Sequence, residues 1–496
     1  MANDAAQLQG QQAAGPQEEI NLLDSIINDS NMVREESQKS WAKEIISEFA
    51  KEVMEGQIKV SKNTEAMINA RIAELDRLIS AQLNEIMHHD DFQKLEASWR
   101  GLNYLVQQSE TGERMRIKIL NVAKSDLLKD MEKAPEFDQS LFFKKIYEEE
   151  FGMFGGHSYG VILGDYEFGF TPQDISLLEK ISGVAASAHA PFIATASPKM
   201  FNWESFTELG GPRDLSKIFT SAEYVKWRSF RELDDARYVG LTLPHILMRL
   251  PYGTETIPVE EFNFEEDVDG TDHRKYLWGN AAFALGTRLT DAFAKYGWCA
   301  AIRGVEGGGL VKGLPTHTFR TDEGEVALKC PTEIAITDRR EKEFADMGFI
   351  PLVHCKGTDY AAFFSTQSAN KPKLYDSDLA NANARLSSQL QYIMAVSRFA
   401  HYLKSMMRDK IGSFMAREQA EKFLNNWISK YVVLDDNADQ ETKAQYPLRE
   451  ARIEVAEIPG KTGAYKAVAF LRPHYQLDEL TVSLRLVAEL PPPVNG

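Results

Sequence analysis

The sequence predicts an α/β chain of mixed α+β character, with helices first, an α/β middle and a β-rich end. Three observations carry that expectation. Apolar residues recur at helical spacing between Trp41 and Gln108. Strand-like and helix-like stretches alternate from Arg114 to His354, and strict two-residue alternation sets in towards the end of the chain.

At the N-terminus, residues 1–17 are rich in Ala, Gln and Gly and read as a disordered tail. Ile20, Leu23 and Ile27 then fall on one face of a two-turn helix, too short to be stable alone in water. Such a segment either docks on its own body or is offered to a partner. Trp41, Ile45, Phe49 and Val53 repeat every fourth residue, and Ile68, Ile72, Leu75, Ile79, Leu83 and Ile86 step by four and three. Two amphipathic helices joined around Gly56 follow from this, and a third runs from Asp91 to Gln108.

The segment Arg114–Val122 (RMRIKILNV) reads as a strand opening the mixed region. Strands are expected at Tyr159–Leu163 and Pro191–Thr195, with a helix over Pro172–His189 between them. From Gly210 to Gly313 the chain is punctuated by Pro and Gly, and the acidic run Glu265–Asp269 reads as a solvated loop. Further strands are expected at Glu333–Ile336 and Phe349–His354, with an intervening helix. One long helix is expected over Asp378–Arg408 and another over Arg417–Tyr431. Arg452–Ile458, Tyr465–Arg472 and Thr481–Leu490 read as strands. In the last, Val482, Leu484, Leu486, Ala488 and Leu490 share one face, and Pro491 ends the pattern.

Composition narrows the function classes. The 496 residues correspond to about three domain-sized units, and 43% apolar content suffices for a large core. The net charge of −17 disfavours phosphate backbones and hence nucleic acid. Cys299, Cys330 and Cys355 are odd in number and widely spaced, which gives neither a disulfide framework nor a zinc knuckle and fits a reducing cytoplasm. The opening residues lack the basic start and apolar run of a signal peptide, and no stretch approaches the roughly 20 apolar residues of a membrane span.

Catalytic patterns fail one by one. Gly156–Gly160 matches GxSxG, but the strand follows Ser158 where a nucleophile elbow needs it to precede. The glycines at 304, 307, 308, 309 and 313 lack the Gly-Lys-Ser/Thr ending of a phosphate loop and read as a turn between strands. His88-His89-Asp90-Asp91 cannot converge on a metal from successive helical positions, so an Asp cap on the next helix is expected. His354-Cys355 reads as part of an apolar strand, with a buried structural thiol. No catalytic residue, cofactor or metal site is expected.

Five long blocks are far more specific. They are WRSFRELDDARYVGLTLPHILMRLPYG from Trp227, WGNAAFALGTRLTDAFAKYGWCAAIRGVEGGG from Trp278, KCPTEIAITDRREKEFADMGFIPLVHCKGTDYAAFF from Lys329, SRFAHYLKSMMRDKIGSF from Ser397 and LRPHYQLDELTVSLRLVAELP from Leu471. Together they resemble the large subunit of the type VI secretion contractile sheath, the TssC/VipB family, over nearly the whole chain beyond residue 17.

That resemblance implies a contractile-sheath fold and a cytoplasmic, non-enzymatic role. The large subunit pairs with a small sheath subunit of TssB/VipA type and polymerises with other copies of itself. The helical sheath surrounds an Hcp tube on a baseplate, contracts to propel the tube, and is taken apart by a ClpV-type AAA+ ATPase. Leu22, Leu23, Asp24, Ile26 and Ile27 match the family's ATPase-recognition helix. Neighbours are linked by exchanged strands, which assigns Val482, Leu484, Leu486, Ala488 and Leu490 to an inter-subunit sheet. The expected organisation is a tail at 1–17, the recognition helix at 18–30, a helical region at 31–110, a central α/β sheath region at 111–375, and helices and strands at 376–496 that form the inner sheath and linkage region. The helix Arg417–Tyr431 is the candidate for an inner surface. Two other classes remain open from the residues alone: a hydrolase using Ser158, and a soluble module that docks the Leu22–Ile27 helix without polymerising.

Overall fold

The central strand β2 (Phe192–Ala196) is buried along its whole length, which means that both faces of its sheet are covered. It lies parallel to β1 (Ile162–Phe168) and to β3 (Val239–Leu243), with Ile193 opposite Leu163 and Gly240. β3 continues in parallel to β9 (Ile350–His354). Two antiparallel strands, β10 (Ala361–Phe363) and β6 (Leu310–Val311), complete the six-stranded order β1-β2-β3-β9-β10-β6, while β4 (Ile246–Leu247) pairs with β5 (Trp278–Gly279) and β7 (Thr318–Arg320) with β8 (Val326–Leu328). The computed structural model describes residues 38–54, 64–211, 214–260, 262–320, 324, 326–413, 415–435, 437–460 and 464–476.

Alternation along the strands builds two cores. On one face Phe192, Ala194 and Ala196 of β2 join Val239, Leu241 and Leu243 of β3 beneath the helix Pro172–Ala188, whose Leu177, Leu178 and Ile181 are fully covered. Thr171 caps this helix by accepting the Asp174 N–H at 3.3 Å, Pro172 stands at its first position, and His189 ends it in the left-handed region. Phe201 centres an aromatic cluster on the same side, its ring 4.9 Å from Trp203, 5.1 Å from Phe349 and 5.4 Å from Phe344. Trp227 stacks on Phe349. On the other face Ile193, Ile350 and Leu352 meet helix Ala282–Tyr296 and the start of helix Leu390–Asp409. A third cluster holds the C-terminal part, where Trp298 stacks on Phe399 at 4.1 Å beside Leu424, Ile428, Leu448, Ile453 and Val455.

A second unit comprises the described residues within 38–86 and 252–266. Within it helices Lys39–Met54 and Thr64–Met87 (the latter up to Ile86) have the extents their apolar spacing predicts. Glu266 is buried and its carboxylate accepts the Tyr252 N–H at 2.8 Å, so the acidic run 265–269 is only partly the solvated loop expected of it.

Several other expectations are corrected. Arg114–Val122 forms no strand; Ile119 and Leu120 are exposed, and no ladder reaches the segment among the described residues. β1 starts three residues later than expected and runs into Asp165 and Glu167, because an edge strand tolerates polar side chains. Glu333–Ile336 is not a strand; the one bridge beside it is at Thr332, to Ile246. The long helix breaks into Asp378–Leu386 and Leu390–Asp409. There Ser387 and Ser388 hydrogen-bond back to Ala384 O and Arg385 O, while Leu390 N–H donates to Thr366 O at 2.8 Å. His89, and no aspartate, caps helix Asp90–Gln107. Cys355 is exposed in the turn after β9, where its N–H donates to Tyr360 O.

The glycine cluster forms a turn, but its first flank is coil and only β6 follows as a strand. A Cβ on Gly309 would lie 2.6 Å from Phe363 O and 2.8 Å from Gly304 N. Gly313 has open space but a φ of +69°. Gly309→Ala is expected to cost about 2 kcal/mol or more through backbone displacement, and Gly313→Ala about 1 kcal/mol through its φ alone. Urea denaturation midpoints of the two variants check this order.

Candidate assembly surfaces

Strands β11 (Leu448–Glu457) and β12 (Tyr465–Pro473) form a two-stranded antiparallel sheet, in register from Glu457–Tyr465 to Glu450–Arg472 with a bulge before Leu448–Pro473. One face is apolar, with Leu448, Ile453 and Val455 packed on Leu424 and Ile428 of helix Arg417–Ile428. The two outer edges differ. Along β11, Asn425 donates to Ile453 O at 2.7 Å and accepts the Ile453 N–H at 3.0 Å. Glu421 accepts the Val455 N–H at 3.0 Å, and Arg417 donates to Val455 O at 3.2 Å. Arg417, Glu421 and Asn425 are spaced by four, one row of the helix, so side chains close this edge. Along β12 no strand other than β11 pairs among the described residues, and Val468 and Phe470 are 40% and 48% exposed. An exposed, partly apolar strand edge is a template for another strand.

The sequence reading recognised both strands but not this asymmetry. Its signal is visible in retrospect as the polar row at 417, 421 and 425. The same helix, read as a candidate inner surface, here buries Ala420, Leu424 and Ile428. Val482, Leu484, Leu486, Ala488 and Leu490 lie outside the described residues, as do Leu22, Leu23, Asp24, Ile26 and Ile27.

A polar cluster sits at the carboxyl ends of the parallel strands and went unread in the sequence, because its members are far apart in the chain. Glu333 Oε1 accepts from Ser205 Oγ at 2.8 Å, from Phe206 N at 3.1 Å and from His273 Nε2 at 3.0 Å. Its Oε2 lies 2.5 Å from His245 Nδ1, and His245 Nε2 is 3.2 Å from Glu167 Oε1, within ion-pair range but off hydrogen-bond geometry. Burial alone would push His245 down; Glu167 and Glu333 outweigh it and hold it up at about 10. Burial pushes Glu333 up, and the two imidazoles outweigh that and hold it far below the usual carboxylate range. The cluster ties five segments together around an enclosed carboxylate.

The rejected motifs fall as follows. Ser158 lies in coil before β1 and makes no side-chain hydrogen bond among the described residues. His354 lies within hydrogen-bond distance of Thr358 O, at 2.7 Å. The Cys330 thiol contacts Thr332 Oγ1; burial raises it, but His354 and Thr332 hold it below its ordinary value.

Residues 69–370 match a VipB family model described as a tail sheath N-terminal domain, and residues 379–490 match a second, described as a tail sheath gpW/gp25-like domain. The type VI secretion system sheath protein TssC1 of Pseudomonas aeruginosa is 52% identical over 446 residues, covering 89% of this chain and 90% of that protein. Among solved structures, the baseplate of the anti-feeding prophage aligns at 8% identity and a TM-score of 0.35 over 63% of this chain and 66% of that one. The contracted helical sheath of the same particle aligns at 9% identity and a TM-score of 0.31, over 62% of this chain and 66% of that one.

The polar cluster gives a pH dependence of known sign. Glu333 is depressed, so its contribution is present above about pH 4.3 and lost below it; His245 is raised, so its contribution is complete below about pH 6.5. The His245 share is then lost as pH rises through about 10. Glu333→Gln is expected to destabilise by about 3 kcal/mol, since it leaves His245 buried beside weaker partners. It should also flatten the fall in thermal midpoint between pH 6.5 and 10, which a series of melts measures.

Proposed function

Because the chain belongs to the VipB tail-sheath family and is a large sheath subunit of the type VI secretion system, we propose that it works in the cytoplasm as a mechanical part with no reaction of its own. It pairs with a small sheath subunit of TssB/VipA type and polymerises around an Hcp tube from a baseplate. It contracts to drive the tube outward, and a ClpV-type ATPase then dismantles it. The observation that supports this reading best is the hairpin with one edge closed by its own helix and the other paired by no further strand among the described residues. A strand added to β12 gains up to ~6 backbone hydrogen bonds of about 1 kcal/mol each, enough to tether neighbours that rotate and slide.

In this reading Thr481–Leu490 takes part in the sheet that neighbours complete. Leu486→Pro removes a ladder donor and bends the strand at a cost of about 3 kcal/mol. Leu484→Asp puts an unpaired charge on the apolar face at a similar cost. Both variants should co-purify with the small subunit yet form no long tubules by negative-stain microscopy, whereas changes at Ser483 should be tolerated. Normal-length tubules from both variants would sink the linkage.

Leu22–Ile27 is proposed as the ATPase-recognition helix, which lies in an apolar groove of the ATPase N-terminal domain and becomes accessible on contraction. Leu23→Asp with Ile27→Asp should leave assembly and one contraction intact and abolish ATPase binding in calorimetry. Near wild-type affinity would refute the assignment.

A further inference from the structure

The glycines at 304, 307, 308 and 309 lack a phosphate-loop ending, and what they build is a seat for a residue far along the chain. The turn is stitched to β10: Gly304 N–H donates to Phe363 O at 2.7 Å, and Phe363 N–H donates to Gly309 O at 3.0 Å. Gly309 N–H closes the turn on Gly304 O at 2.8 Å. At its entrance stands Arg303, 5% exposed, whose Nε donates to Gln476 Oε1 at 2.9 Å. Gln476 Nε2 donates to Ala300 O at 3.3 Å, and the Gln476 backbone N–H donates to Tyr392 Oη at 3.0 Å. A Cβ on Gly307 would lie 2.3 Å from Arg303 O and 3.9 Å from Gln476 Nε2, so glycine there lets the turn fold close over the Arg303 backbone.

Both ends of the Gln476 amide and its backbone N–H are thus held, by the coil at 300–303 and by helix Leu390–Asp409. The Arg303 bond has a charged donor, which is the stronger kind. Ile302 and Leu390, beside these partners, are buried in the core under the sheet, so the seat is part of the packed body. The chain just before Gln476 is held less firmly. Pro473 ends β12 opposite Leu448 and has no N–H to give to the ladder. His474 N–H donates to Pro447 O at 3.0 Å, and the Tyr475 ring is 47% exposed. Leu448 begins β11, so a pull from beyond residue 476 that reached β12 alone would open the ladder from this end, one bond after another. A pull received at Gln476 loads three hydrogen bonds on two elements together.

We propose that Gln476 anchors the C-terminal segment, and that the seat of Ala300, Arg303 and Tyr392 passes load from the Thr481–Leu490 linkage into the body of the subunit and spares the hairpin. This rests on the linkage stated under Proposed function. Full-length chain carrying Gln476→Ala, Gln476→Glu or no change is co-expressed with the small subunit, and the tubules are imaged by negative stain before and after graded flow shear. Gln476→Ala should assemble to wild-type length at rest and break to about one third of the wild-type length under shear, because both side-chain bonds are gone. Gln476→Glu still accepts from Arg303 and should break less than Gln476→Ala. The thermal midpoint of the unassembled pair of subunits should be the same for all three. Equal lengths of Gln476→Ala and wild type after shear overturn this inference alone. Equal breakage of the two variants also overturns it, by leaving Arg303 no share in the anchor. Gln476→Ala that forms no tubules at rest, or that lowers the thermal midpoint, overturns it by placing Gln476 in the assembly contact or in the stability of the subunit. Wild type that forms no tubules overturns the linkage, and this inference with it.

Discussion

Burial of β2 on both faces is the constraint from which the rest of the larger unit follows. A strand with Phe192, Ala194 and Ala196 on one side and Ile193 on the other needs a covering layer above and below. The helix after β1 supplies one layer, and helices from 282 and 390 supply the other. Parallel pairing also sets the carboxyl ends of β1 and β3 at the same edge of the sheet, on either side of β2, where Glu167 and His245 meet and Glu333 binds the loops around Ser205 and His273 to them. A carboxylate with that many partners costs much to disturb.

The surfaces left incomplete have a different character. Trp298, Phe399 and Leu424 anchor the C-terminal hairpin, and the row Arg417, Glu421 and Asn425 closes one of its edges, so any strand joined to β12 pulls on a packed body. In the proposed assembly a neighbour supplies a strand to the β12 edge, which no strand other than β11 pairs among the described residues.

Much of this was legible in the sequence, and the failures share a cause. Helices at 39–54, 64–87 and 90–107 and the strand at 465–473 follow from period, the strands at 192–196 and 350–354 follow from short apolar runs, and the strand at 448–457 begins ahead of the Arg452 expected. Arg114–Val122 has the alternation of a strand but no neighbour in the chain, and pairing is a tertiary fact that alternation cannot supply. Asp378–Arg408 reads as one helix until Thr366 O takes the Leu390 N–H and the serines turn back on the chain. The Glu333 cluster draws on residues 167, 205, 245, 273 and 333, with no spacing to betray it. The family resemblance was carried instead by long blocks such as the one from Trp227, whose aromatic residues pack the core around Phe349.

In the proposed assembly, neighbours complete surfaces and the inner sheet stays as it is. Amide hydrogen exchange on assembled sheath, compared with the unassembled pair of subunits, reads this out. Slowing on the order of a hundredfold is expected along Tyr465–Pro473, with β2 and β3 unchanged. Unaltered exchange along that strand, together with new protection inside the parallel sheet, would overturn the proposed assembly.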